Sequence, residues 1–150
     1  MHRRNILAGF LTAAGGVFAT ASASRAQAAP AMPDKSKVVY HLTELDRVQF
    51  VLGNIKNHYE GVGGPEHVTI ELVVHGPALK AFHAAAATPE NRSRFGEFTK
   101  AGLRAEACGN TMRGQNVELK DLLPGFTVAE KGGVVRIAEL QSQGYVYLRP

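Results

Sequence analysis

The sequence holds one cysteine, Cys108, among its 150 residues. A disulfide framework needs pairs, so that architecture is excluded. No CxxC or HxxxH spacing accompanies the thiol, so a zinc or copper site is not expected, and no cofactor motif takes its place. Gly132-Gly133 precedes a helical pattern but lacks the spacing of a phosphate-binding loop, and reads as a tight strand-to-helix turn. Neither a Ser-His-Asp set nor a pair of carboxylates stands out by spacing. Long apolar runs are also missing. A spanning helix needs about 20 strongly apolar residues, and the best stretch, Ile6 to Ser24, is diluted by Thr, Ser and Gly. Lasting excess charge is missing too. The formal charge is +4, from 17 basic and 13 acidic residues. Setting aside Arg3, Arg4 and Arg25 of the first 28 residues leaves 14 basic against 13 acidic, too balanced to neutralise a phosphate backbone, so nucleic acid is not an expected partner.

Those three arginines mark a targeting segment. Arg3-Arg4 precedes the uncharged Ala- and Gly-rich run, and Ala26-Gln27-Ala28 is a small-x-small cleavage site. Residues 1–28 read as a cleaved signal peptide, and the paired arginines point to the twin-arginine route. Leu7 fits that pattern, whereas His2 and Ile6 depart from it. The mature chain is expected to begin at Ala29 in the periplasm, without a membrane anchor. Residues 29–36, with Pro30 and Pro33, read as a linker, and residues 37–150 as one domain large enough for a single core.

Within that domain, strand and helix patterns alternate. Lys37 to Leu42 is a short β-branched and aromatic run. Thr43 is expected to cap the next helix, with Asp46 as its box partner. Leu45, Val48, Leu52, Ile55, Tyr59 and Val62 form an apolar stripe at helical spacing. Val68 to Val74 (VTIELVV) is nearly continuous in apolar residues, as in a strand buried on both faces. A short helix is expected over 78–86, and another from the cap Thr88-Pro89-Glu90. Leu103 to Cys108 is the third strand and ends in a glycine turn. A short helix over 117–123, a strand over 126–129, a helix over 134–143 and a last strand over 145–148 follow. This alternation predicts a three-layer α/β/α sandwich on a five-stranded, mainly parallel sheet.

The C-terminal ends of parallel strands border the ligand crevice of such folds. His41, His75 and Cys108 are all expected there, with Glu130 and Lys131. Cys108 is the candidate nucleophile, and its chemistry requires a thiolate below the ordinary thiol pKa of ~8.5. Arg113 and the backbone N–H groups of Gly109 and Asn110 are the expected stabilisers. His75 and His41 are candidate bases or thiolate partners. Asn110 and Thr111 read as turn residues lining the pocket, and Glu106 is expected to point elsewhere. The competing reading is an inert, buried cysteine in an assembly or small-ligand-binding module.

The βα order of the five strands, His75-Gly76 after the second, and above all Cys108 followed by Arg113-Gly114, resemble the DsrE/DsrF-like family of sulfur-relay proteins. The closing Leu140-Gln141-Ser142-Gln143-Gly144-Tyr145 is similar to the exported branch of that family. In relay members the residues between the cysteine and Arg-Gly are alanine-rich, whereas this chain has Gly-Asn-Thr-Met. The resemblance implies that Cys108 carries sulfur as a persulfide, that the protein is a homo-oligomer (a trimer or hexamer), and that a sulfur donor or acceptor protein is its partner.

Overall fold

A computed structural model of the chain describes residues 35–150. The signal-peptide reading of 1–28, and residues 29–34 of the linker, lie outside them. Five strands, β1 (Ser36–Leu42), β2 (Val68–Val74), β3 (Arg104–Cys108), β4 (Phe126–Ala129) and β5 (Val146–Leu148), form one sheet in the order β4-β3-β2-β1-β5. Every pairing is parallel. Four α-helices connect them: α1 (Val48–Gly61), α2 (Pro89–Lys100), α3 (Gly109–Gln115) and α4 (Gly133–Ser142).

Strand order and crossover handedness together place the helices. From β1 to β4 each strand is added on the same side of its predecessor. Right-handed crossovers then put α1, α2 and α3 on one face. The β4-to-β5 connection reverses direction and crosses the whole sheet, which sends α4 to the other face. The packing agrees with this division. Val38, Tyr40, Leu42, Ile70, Leu72 and Val74 pack with Leu52, Ile55, Phe82, Phe95 and Met112 in the main core. Val39 and Val73 face the opposite way, against Ile137, Leu140 and Tyr145. Alternate residues of β1 and β2 thus enter different layers, the period of two that a strand imposes. The α/β/α sandwich expected from the sequence is the observed fold.

Several local expectations are corrected. Thr43 caps no helix; a short 3-10 turn, Leu45–Arg47, leads into α1 without a side-chain cap. Its hydroxyl instead accepts from Arg149 at 3.3 Å. The helix expected over 78–86 is a 3-10 segment, Gly76–Phe82, and that over 117–123 shrinks to Leu119–Asp121. Glu118 and Asp121 close this last segment in a capping box, which fixes one turn and no more. The start at Thr88 is as read: its hydroxyl accepts from the Asn91 N–H at 3.1 Å.

Candidate functional site

Cys108 ends β3 opposite Ala129 of β4. The chain leaving β3 enters α3 on one face, and the chain leaving β4 enters α4 on the other. Connections that diverge from neighbouring strands open a crevice at their carboxyl ends, the usual ligand position in open α/β sheets. The sulfur therefore stands at the topological switch point of the sheet.

The segment after Cys108 differs from the expected turn. Cys108 is the N-terminal flanking residue of α3, and Gly109, Asn110 and Thr111 are its first helical residues. Glycine suits position 109: an added Cβ would stand 3.2 Å from the Ala129 carbonyl and 3.3 Å from that of Glu130. From the other side comes Gly132-Gly133. Gly132 has φ +99°, where a side chain is strained, and its added Cβ would lie 2.6 Å from Asn110 Nδ2. A Cβ on Gly133 would meet Val73 Cγ1 at 3.3 Å, and both Cys108 Cβ and His75 Cδ2 at 3.4 Å. The two glycines let the start of α4 press onto the thiol.

Burial by itself pushes the Cys108 thiol up. The Thr111 hydroxyl, followed by the backbone N–H groups of Gly133, Thr111 and Asn110, outweighs burial, so the net shift is downward. The hydroxyl is oriented for this, because Thr111 Oγ1 accepts from the Gly76 N–H at 2.9 Å and keeps its own proton free for sulfur. Cys108 is 5% exposed and borders a cavity of about 270 Å³, lined also by His75, Asn110, Thr111, Lys131 and Val134. A larger cavity of about 560 Å³ between α2 and Leu123–Gly125 includes none of the residues named from the sequence.

The other candidates fall into place around this centre. His75 follows Val74, which pairs with Ala107, and so it flanks Cys108 across the sheet and lines the same cavity. His41 stacks on His75 with ring centroids 4.7 Å apart, and the two Nε2 atoms share a hydrogen bond. His41 Nδ1 is bonded to the Tyr147 hydroxyl at 2.7 Å. Burial, with the neighbouring His75 and Arg149, lowers His41 to about 4; burial and Arg149 also lower His75. The His41 ring is therefore neutral at neutral pH, and the downward shift of His75 favours its neutral ring. Arg113 is exposed and donates to Asn110 Oδ1, so it reaches the thiol's surroundings through Asn110 rather than by direct contact. Gly109 supplies space, while the N–H groups that lower the thiol come from Asn110, Thr111 and Gly133.

A second polar group was not assembled from the sequence. Glu106, expected to point elsewhere, instead shares the face of Cys108, as residues two apart on a strand do, and it is engaged by Arg136 of α4, Nε to Oε1 at 2.6 Å. Arg136 Nη2 also donates to Glu71 Oε1 at 2.9 Å. Glu71, only 1% exposed, sits in the nearly continuous apolar VTIELVV run. A buried carboxylate there demands a partner, which was the available signal. Its partner lies 65 residues onward, beyond local spacing. No group of three or more metal-ligating side chains occurs among the described residues.

Comparison with known proteins agrees with the fold. No curated protein matches the sequence. Among solved structures, the chain is similar to MTH1491 from Methanobacterium thermoautotrophicum, a protein of unknown function, at 29% identity and a TM-score of 0.67, covering 77% of this chain and 99% of that one. It is also similar in fold to BT1422 from Bacteroides thetaiotaomicron, at 20% identity, a TM-score of 0.55, and 78% and 95% coverage of the two chains. The ychN protein from E. coli gives 11% identity, a TM-score of 0.55, and 77% and 99% coverage. The model of the DsrE/DsrF-like family matches residues 20–150, and with the all-parallel sheet in place the chain belongs to the DsrE/DsrF-like family.

Proposed function

We propose that this protein is an exported sulfur carrier that holds sulfur as a persulfide on Cys108. The family is in general related to sulfur relay. The single observation that carries the reading is the place of Cys108 at the carboxyl end of β3, beside a cavity and against the starts of α3 and α4, whose donors lower the thiol. Such donors favour thiolate over thiol, and thiolate is the nucleophile. In the loading step the thiolate attacks the terminal sulfur of a donor persulfide, R–S–SH. A sulfur–sulfur bond forms on Cys108, the donor's own sulfur–sulfur bond breaks, and its electron pair leaves as the thiolate R–S⁻. The proton stays on the transferred sulfur. Delivery repeats the exchange, with an acceptor thiolate as the attacker and the Cys108 thiolate as the leaving group.

Incubation with polysulfide should add one sulfur atom to the intact mass, and dithiothreitol should remove it. Cys108→Ser should fold and stay unloaded. If Cys108 resists both polysulfide and iodoacetamide until denaturant is added, the inert-cysteine reading replaces this one.

Two further readings support a periplasmic role for an assembled protein. The Arg3-Arg4 leader with Ala26-Gln27-Ala28 supports twin-arginine export, tested by Arg3→Lys with Arg4→Lys, which should block it. Val134, Val135, Val146 and Tyr147 are large apolar side chains exposed on or near α4 and β5. They support homo-oligomerisation, and sedimentation as a monomer at micromolar concentration would overturn that.

A further inference from the structure

We propose that Arg136 is a positioning residue for Cys108, whose grip on Glu71 and Glu106 holds the start of α4, and with it the Gly133 N–H, against the sulfur. The inference rests on the thiolate chemistry assigned to Cys108 above. Among the described residues α4 is the only α-helix on its face of the sheet, and its apolar contacts there are Ile137 and Leu140 with Val39, Val73 and Tyr145. Val73 lies under Gly133, where an added Cβ would stand 3.3 Å from its Cγ1, but Gly133 has no side chain with which to hold it. One turn after Gly133, Arg136 adds a polar hold on the sheet beside the apolar one of Ile137.

Its guanidinium engages two strands at once. Nε meets Glu106 of β3 at 2.6 Å, and Nη2 meets Glu71 of β2 at 2.9 Å. A planar fork held by two fixed carboxylates sets the rotation and the axial position of the helix, which a single apolar contact does not. The anchors are themselves fixed. Glu71 is buried and further approached by Arg104 Nε at 3.4 Å, while its Oε2 has no hydrogen-bond donor. Two acids crowded together under one helix are expensive to bury, and an apolar pair would cover the sheet as well. Orientation of the helix is what the polar arrangement adds. The other charged or titratable groups facing the clamp are Glu139 at 3.8 Å from Arg136 Nη1, Lys131 paired with that Glu139, Glu130 in the same cavity, and Tyr145, which is bonded to Arg104. Those facing the sulfur cavity are His75 and Lys131.

The test reads the Cys108 pKa in the folded protein by ultraviolet thiolate absorbance, with Cys108→Ser as the blank. Arg136→Met and Arg136→Lys should each raise the apparent pKa by roughly half a unit to one unit, lowering the thiolate fraction by roughly threefold to tenfold on the acid side of the titration. Leu140→Ala, which loosens the same helix through its apolar contacts, should lower the Tm and leave the thiol pKa in place. If Arg136→Met fails to fold, Arg136→Lys carries the comparison, because it keeps the charge and loses the fork. A thiol pKa unchanged in the folded Arg136 variants, or moved as far by Leu140→Ala, overturns the positioning role. Polysulfide loading of the unaltered protein is a separate arm. Its failure would remove the sulfur-carrier reading while the pKa comparison still judged Arg136.

Discussion

A Cβ on Gly133 would stand 3.4 Å from the Cβ of Cys108, so the helix covering the thiol touches it through a residue without a side chain. Gly133→Ala should move the start of α4 by a few tenths of an ångström and raise the Cys108 pKa, as the donor N–H withdraws. Gly132→Ala faces a different obstacle, because φ +99° is a glycine conformation. It should cost about 1–3 kcal/mol in urea denaturation. A Gly132→Ala protein as stable as the parent would show that the turn can relax.

Thr111 and Arg113 separate direct from indirect influence on the thiol. Thr111→Val removes the hydroxyl that donates to sulfur and should raise the Cys108 pKa. Arg113→Ala breaks its bond to Asn110 and should move the pKa less. Iodoacetamide rate against pH gives both values. An Arg113 effect exceeding that of Thr111 would return the guanidinium to the role expected from the sequence.

His41 ties stability to pH. Its folded pKa, lowered to about 4 by burial, His75 and Arg149, lies below its ordinary value near 6.5. Between these values the unfolded chain binds more protons, so stability rises with pH. The contribution is complete above about pH 6.5 and is lost as pH falls toward 4. Glu106, raised by burial and by Glu71, acts in the opposite sense. The urea midpoint of His41→Gln should therefore fall less steeply than that of the parent across this window. Parallel curves would mean that His41 is free to protonate in the folded state.

In the main core, Ile55 is fully buried beneath the sheet. Ile55→Ala should destabilise the protein by about 2–5 kcal/mol. A change near zero in chemical denaturation would mean that this helix face is misassigned.

The architecture was largely legible in the sequence because its signals are local and periodic. VTIELVV announces a doubly buried strand, and Val48, Leu52, Ile55 and Tyr59 announce the inward stripe of α1. Cys108 and His75 could be placed at strand ends for the same reason. The helix at Gly109 was not legible. Gly-Asn-Thr are poor helix formers, and the turn they suggest locally is overridden by the fold, which seats Met112 in the main core and Thr111 on the Gly76 N–H. Strand order was hidden as well, so the meeting of Gly132-Gly133 with Cys108 could not be foreseen. The glycine pair was read correctly as a turn, but not as the turn that brings backbone donors to the thiol.

The two sides of the sheet are insulated unequally, and this shapes how the protein breathes. On one side lies the broad apolar body with α1 and α2; on the other, α4 rests on Val39, Val73 and Tyr145 with its arginine clamp. The element with the smaller apolar attachment is the one expected to detach in sub-global openings while the rest stays folded. For most proteins such an opening is incidental. Here the detached element would take its N–H donor away from sulfur and widen the path to a buried atom in the same event. Shielding and activation of Cys108 are thus exchanged together, and amide hydrogen exchange in α4 becomes a direct gauge of how often the sulfur meets the outside world.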